Sequence, residues 1–312
     1  MELDFVAQLL ARIPLDPRLE VPPGDDAAVL RPPAGRRTVV TVDMLMEGVD
    51  FILGPDCPPR LVGHKALAVN LSDLAAMAAR PEAAVVAVAL PHRHGETLGR
   101  GLLDGILELA AAHGVTLAGG DTNSWDGPLV ISLTAIGSVL PGRAWRRDGA
   151  RPGDLILVSG GCGGSLLGRH LAVAPRCREA VVISERFVVH AAIDVSDGLS
   201  LDLARMMQAS GTAAVLDLAA IPIHPDAVAL ASRPGDGRSP LDHALADGED
   251  FELVLALPPD EARRLVADAP ALVGTPFTII GEVVAGSGLA ARSADGTVAP
   301  LEPRGYIHDF GA

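Results

Sequence analysis

The chain has 312 residues, 49% of them hydrophobic, with a formal net charge of −14. That length and apolar content favour two domains over one. The acidic balance argues against a nucleic-acid scaffold, which needs a basic face. An anionic substrate would also be repelled, unless cations stood between it and the protein.

Residues 1–38 open with a short amphipathic segment and continue through the Pro/Gly-rich stretch Val21 to Asp26. Thr38 to Val42 is β-branched and predicts a strand ending at Asp43. The pattern over Lys65 to Ala79 predicts a helix. Lys65 is the only lysine and stands in Gly63-His64-Lys65-Ala66, so the chain has no G-x-x-x-x-G-K-[ST] phosphate loop. Ala83 to Leu90 predicts a buried strand, Leu98 to His113 a helix closed by Gly114, and Val115 to Ala118 a strand ending in Gly119-Gly120-Asp121. Leu129 to Val139 predicts another strand.

The Arg-, Gly- and Pro-rich run from Pro141 to Asp154 reads as a boundary, giving domains 1–140 and 141–312. Leu155 to Ser159 then predicts a strand feeding the glycine-rich loop Gly160-Gly161-Cys162-Gly163-Gly164. That loop lacks the third glycine of a dinucleotide fingerprint. Ala191 to Val195 predicts a strand leading to a helix over Leu199 to Ala209, and residues 232–240 an exposed loop. The overall pattern is α/β or α+β. The cysteines Cys57, Cys162 and Cys177 fit neither a zinc site nor a disulfide framework, which points to a reducing compartment. Met1 to Asp4 has no signal-peptide pattern, and Ala83 to Leu90 is too short to span a bilayer. The expectation is a cytoplasmic protein without membrane or nucleic-acid partners.

The chemistry-bearing residues are aspartates. Asp73 lies in a helix that is apolar nearly all round, with Asn70 one turn away on the same side. A carboxylate buried there must be paired or hold a metal; a solvated position on a surface helix is the alternative. In Asp194-Val195-Ser196-Asp197-Gly198, alternation puts Asp194 and Ser196 on one face, and Asp197 could cap the next helix. Asp43 and Asp121 close predicted strands, and Asp25-Asp26 follow Gly24; each alone reads as an ordinary turn residue. Taken together, aspartates without His or Cys partners suit Mg²⁺, which bridges proteins to phosphates. His92 and His94, two apart in a loop, read as solvated.

Several segments then carry a family resemblance. They are Gly24-Asp25-Asp26-Ala27-Ala28-Val29, the run Val42 to Phe51, and Lys65 to Met77. Gly119-Gly120-Asp121-Thr122, Asp194 to Leu199, Gly248 to Leu253 and the terminal Gly305-Tyr306 follow in order. Over nearly its whole length the chain resembles the thiamine-monophosphate kinase family, of the superfamily that includes aminoimidazole ribonucleotide synthase. The resemblance implies a two-domain α/β fold of the aminoimidazole ribonucleotide synthase type, with the N-terminal domain dimerising through its sheet. It implies ATP bound with several Mg²⁺ ions, leaving room for K⁺, and thiamine monophosphate as phosphate acceptor in a direct in-line transfer. Asp26, Asp43, Asp73, Asp121, Asp194 and Asp197 fall at its metal-ligand positions, with Thr41 and Val42 beside them. Gly120, Asp121, Arg147 and Ser196 fall at ATP-contacting positions. Asp73, Asp121, Asp194, Asp197 and Arg147 would carry the catalysis. Asp50, Glu249 and Pro303 fall at substrate positions.

Three of these positions depart from the family pattern. Asp50 stands where the family often has His, Val42 where it has Thr, and Pro303 where an aromatic would stack on thiamine. The usual Pro-x-Pro-Arg segment before Asp194 is absent. The alternatives are therefore a related ATP-dependent kinase or synthase acting on another phosphate or acid, and a non-catalytic scaffold of the same fold.

Overall fold

The computed structural model describes the backbone of residues 2–308 and the side chains of residues 4–308; the outer ends of the two expected domains, residues 1 and 312, lie outside that range. Two compact units are present. One comprises the chain through Leu74, Ala79–Arg143 and Leu171–Cys177; the other comprises Ala75–Ala78, Ala144–His170 and the chain from Arg178 onward.

In the first unit, helix α1 (Glu2–Leu10) precedes the short strands β1 (Leu19–Val21) and β2 (Val29–Leu30). A four-stranded sheet follows, made of β3 (Arg37–Met46), β4 (Arg80–Pro91), β5 (Thr116–Trp125) and β6 (Val130–Val139), in the order β3-β6-β4-β5. Strands β4 and β5 run parallel and are joined by helix α3 (Gly95–His113), the crossover that a parallel pair requires. Gly114 closes α3 in a left-handed conformation, its N–H reaching Ala110 and Ala111.

Helix α2 (Pro59–Ala76) is buried as its all-round apolar composition demands: Leu67, Leu71 and Leu74 are fully inaccessible. It meets α3 backbone to backbone. A Cβ at Gly63 would lie 2.0 Å from the Leu102 carbonyl oxygen, and one at Gly105 would lie 1.8 Å from that of Arg60. Both crossings therefore require glycine.

Two expected boundaries fall short. β3 continues to Met46, so Asp43 lies inside the strand opposite Leu133 of β6. β5 runs to Trp125, so Asp121 is likewise within a strand, opposite Ala87 of β4. Ten residues of continuous pairing with β6 carry β3 past the polar position.

The second unit is built on a seven-stranded sheet. Its strands are β7 (Leu155–Ser159), β8 (Ala191–Asp194), β9 (Ala213–Asp217), β10 (Leu253–Leu257), β11 (Phe277–Val284), β12 (Gly288–Arg292) and β13 (Val298–Pro300), ordered β13-β12-β9-β11-β7-β10-β8. β12 and β9 are parallel; the other pairs are antiparallel. The α-helices of this part of the chain are α4 (Cys177–Arg186), α5 (Leu199–Ser210), α6 (Pro225–Ala231), α7 (Pro240–Ala246) and α8 (Pro259–Leu272). Ile156, Ile193, Leu203, Met206, Leu216, Val254 and Ile280 form its core. β10 is buried at every residue, as a continuous apolar run inside a sheet should be. Among the described residues no helix is long and apolar enough to cross a membrane.

Candidate functional site

In the first unit, β3 divides its side chains between two faces. Thr41, Asp43 and Leu45 turn inward, while Val40, Val42 and Met44 are 62%, 61% and 58% exposed. Val42 can therefore offer an inward ligand only through its backbone. On the inward side the Thr41 hydroxyl donates to Oδ2 of Asp73, linking β3 to α2. Asp73 is half-buried, whereas every other residue from Lys65 to Ala76 is buried. The neighbouring Asn70 Nδ2 donates to the Ala66 carbonyl at 3.0 Å, while its Oδ1 is buried without a hydrogen-bond partner.

Asp43 is pushed up to about 7, first by burial and then by the charges of Asp73 and Asp50. Asp50 also serves its own turn: its Oδ2 accepts the Met46 N–H at 2.7 Å, and its carbonyl accepts the buried Lys65 ammonium at 2.7 Å. The first unit thus brings Thr41, Asp43, Asp50 and Asp73 together. Asp26 and Asp121 stand exposed.

Among the described residues no three His, Cys, Asp or Glu side chains form a ready-made ion cage. The donor set is still suited to Mg²⁺, an oxygen-seeking ion that takes one or two carboxylates and completes its shell with water and phosphate. Two carboxylates held together against their repulsion, with a hydroxyl beside them, fit that requirement.

Gly120 and Asp121 edge an apolar cavity whose walls include Phe5 and Leu9 of α1, Val86 of β4 and Ile106 of α3. Only glycine fits at position 120, because a Cβ would lie 2.2 Å from the Val86 carbonyl oxygen.

In the second unit, Asp194 ends β8 with 2% exposure, and Ser196 and Asp197 follow half-buried. Asp197 does not cap α5. That role falls to Asp202, whose Oδ2 accepts the N–H groups of Ser196, Asp197 and Gly198 at 3.0, 2.8 and 3.1 Å. Burial raises the Asp202 carboxyl, opposed first by the Asp197 N–H bond; the Asp197 charge raises it further, and the Arg205 charge lowers it. Arg205 donates to both Asp197 and Asp202. Sequence reasoning missed Asp202, which reads as one more polar residue on an amphipathic helix. Its only signal is its place one turn into a helix that opens on glycine.

Glu249 and Phe251 have left-handed φ values of +62° and +52°. The Glu249 N–H donates to the Ser196 carbonyl at 2.6 Å, so the expected ATP and substrate positions share a backbone hydrogen bond. Arg147 and Pro303 are exposed. The glycine-rich loop is already occupied: Gly163 and Gly164 donate to Asp250 and Asp247 at 2.8 and 2.9 Å. Those N–H groups are not available to a dinucleotide phosphate. His92 is exposed and lies 3.7 Å from Asp126, in line with a solvated loop histidine.

Residues 24–139 match the family model for the AIR synthase related protein N-terminal domain, and residues 154–293 match the corresponding C-terminal domain. The chain is 42% identical to the thiamine-monophosphate kinase of Rhodopirellula baltica, covering 99% of this chain and 97% of that protein. Its fold superposes on the thiamine-monophosphate kinase of Stenotrophomonas maltophilia K279a with a TM-score of 0.80 and 36% identity, covering 95% and 96% of the two chains. It also superposes on AaThiL, solved with AMPPCP and TMP, with a TM-score of 0.76 and 26% identity over 99% and 96%. These matches define the class as AIR synthase related. Within that class, the chain belongs to the thiamine-monophosphate kinase family.

Proposed function

We propose that this chain transfers the γ-phosphoryl group of ATP to the phosphate of thiamine monophosphate, giving thiamine diphosphate and ADP. The observation that carries the reading is the Thr41–Asp73–Asp43 oxygen cluster, in a chain related to thiamine-monophosphate kinases along its whole length. Transfer is in-line, because the acceptor phosphate oxygen is itself an adequate nucleophile. No side chain needs to form a covalent intermediate.

The metal ligands of this reading are Asp26, Asp43, Asp73 and Asp121 in the first unit, with Thr41 and the Val42 backbone, and Asp194 and Asp197 in the second. Bound Mg²⁺ would supply charge neutralisation between these carboxylates and the phosphates. Thr41 holds the Asp73 carboxylate in one orientation. Arg147, exposed and permanently charged, clamps phosphate oxygens. Gly120 allows close backbone approach, and the apolar cavity beside it seats the adenine ring. Ser196 contacts ATP, while Glu249 and Asp50 contact thiamine monophosphate. K⁺ remains a further cation of the reading.

The exposed row Val40, Val42 and Met44 lies on an edge strand, where an apolar face invites pairing with a second copy. It supports a homodimer through this sheet. The domain division near residues 140–141 and a cytoplasmic location belong to the same reading.

The test is thiamine diphosphate formation from thiamine monophosphate and ATP, with and without Mg²⁺. Product only with Mg²⁺ is the expected result. Bound ATP without product would favour a second reading, a different phosphate or acid acceptor, motivated by Asp50 and Pro303.

A further inference from the structure

The turn 247–252 of the second unit is fastened from two sides. One side is stitched to residues 195–196: the Glu249 N–H donates to Ser196 and the Phe251 N–H to Val195 at 2.6 and 2.8 Å, and the Val195 N–H donates back to Glu252 at 2.8 Å. Glu249 and Phe251 both adopt left-handed backbone, a conformation that non-glycine residues keep only where the surroundings over-determine it.

Asp250 lies between them, with a side chain that is 0% exposed. Its Oδ2 accepts the Gly163 N–H at 2.8 Å and its Oδ1 accepts the Arg169 guanidinium at 2.9 Å. Arg169 also donates to the Gly163 carbonyl at 3.0 Å. Alongside, Asp247 accepts the Gly164 N–H at 2.9 Å, and the Ser165 hydroxyl donates to the Gly248 carbonyl at 2.6 Å. The glycine loop is itself a fixed base. A Cβ at Gly163 would lie 2.6 Å from the Ala244 nitrogen, and one at Gly164 would lie 2.4 Å from that of Ala227.

We propose that Asp250, gripped by Arg169 and the Gly163 N–H, is a positioning residue for thiamine monophosphate: it fixes the left-handed turn that presents Glu249 to that substrate. The proposal rests on the kinase reading above and on Glu249 as a substrate contact. A well-packed apolar pair would support a core as well as a buried ion pair does. What the ion pair adds is geometry: Arg169 Nη2 holds one oxygen of Asp250 while the Gly163 N–H holds the other, with the substrate contact at the preceding residue, Glu249.

The test uses the full chain, with initial rates measured while ATP and thiamine monophosphate are varied independently. Wild type, Asp250→Asn, Glu249→Gln and the double variant are compared, with a thermal unfolding midpoint for each. Asp250→Asn is expected to raise KM for thiamine monophosphate about tenfold, with KM for ATP and kcat within about twofold. Because Asp250 acts through Glu249, the double variant should be no worse than about the poorer single. Arg169→Lys keeps the charge but loses the planar Nη2 donor shared by Asp250 and the Gly163 carbonyl; it should show a smaller rise selective for thiamine monophosphate, and it serves if Asp250→Asn does not fold.

Multiplicative losses in the double variant, or equal rises in both KM values, overturn the proposal, because Asp250 would then only support the fold. If Glu249→Gln leaves KM for thiamine monophosphate unchanged in an active enzyme, the contact is misassigned and the positioning role falls with it. A wild-type chain that makes no thiamine diphosphate overturns the kinase reading and the proposal together.

Discussion

The Thr41 hydroxyl donates to the Asp73 carboxylate, joining a half-exposed strand to a buried helix. The bond fixes one oxygen of the carboxylate against β3 and so sets the orientation of the group. It also places the Asp73 charge where it helps raise Asp43. Asp73→Asn should therefore lower kcat at least about a hundredfold, the scale for losing one electrostatic contact to a transferring group. Its denaturation midpoint should be unchanged or higher, because the amide relieves repulsion with Asp43. Thr41→Val removes only the orienting bond and should cost about tenfold in apparent Mg²⁺ affinity, as loss of an outer-shell partner does. Steady-state rates against Mg²⁺ concentration, with urea melts alongside, check both variants.

Asp43 gives the metal response a pH dependence. Its folded value of about 7 lies well above the ordinary carboxylate value of 3.8. For a raised carboxyl, the proton-linked stability is fully present below about pH 4 and is lost as pH rises through 7. Metal-free protein should therefore lose part of its stability between pH 4 and 7. Mg²⁺ must displace that proton, so the stabilisation it gives should be larger at pH 8 than at pH 5. In Asp43→Asn this pH difference should shrink. Urea denaturation at both pH values, in EDTA and in Mg²⁺, provides the measurement; equal Mg²⁺ stabilisation at pH 5 and 8 in the wild type would remove Asp43 from the ligand set.

Much of this architecture is legible from local pattern. β-branched runs mark the strands, the all-round apolar segment around Asp73 marks a buried helix, and Gly114 marks a helix end because left-handed closure favours glycine. The strand ends were less legible. Asp121-Thr122-Asn123-Ser124 has weak strand propensity, yet it extends β5 because β4 supplies a partner along its whole length. The polar lock around Asp250 joins residues more than eighty positions apart in sequence, through Gly163 and Arg169. No periodicity reports such a pairing. The aspartates themselves were visible because carboxylates in apolar or glycine-rich surroundings stand out. Which carboxylate anchors the start of α5 depends on tertiary geometry, and it is Asp202 rather than Asp197.

Asp202 provides a stability prediction. One of its oxygens satisfies three successive N–H groups at the start of α5, and the other meets Arg205 at 2.7 Å. Asp202→Ala leaves those donors without their acceptor next to a buried helix start, which should cost about 3 kcal/mol. It should also reduce turnover, because Ser196 and Asp197 lose the anchor that orients them. Asp202→Asn keeps one acceptor oxygen and should cost about 1 kcal/mol. Urea denaturation of the two variants gives the comparison. Equal, small losses would mean that solvent replaces the carboxylate at this site.

Gly120 separates steric from conformational demand. Gly114 needs its left-handed φ of 65° and has open space around its missing side chain, so Gly114→Ala should cost about 1 kcal/mol through backbone strain alone. Gly120 has no such φ, but an added Cβ would sit 2.2 Å from the Val86 carbonyl oxygen, across the β4–β5 pairing. That clash involves backbone on both sides and cannot be relieved by a rotamer change. Gly120→Ala should therefore destabilise by about 2 kcal/mol, the range for overpacking. Because the forced shift lies next to Asp121 and the apolar cavity, it should also weaken ATP binding, whereas Gly114→Ala should leave binding unchanged. Calorimetric titration of both variants with Mg·ATP decides the matter: matched ATP affinities at unequal stabilities would place the nucleotide away from Gly120.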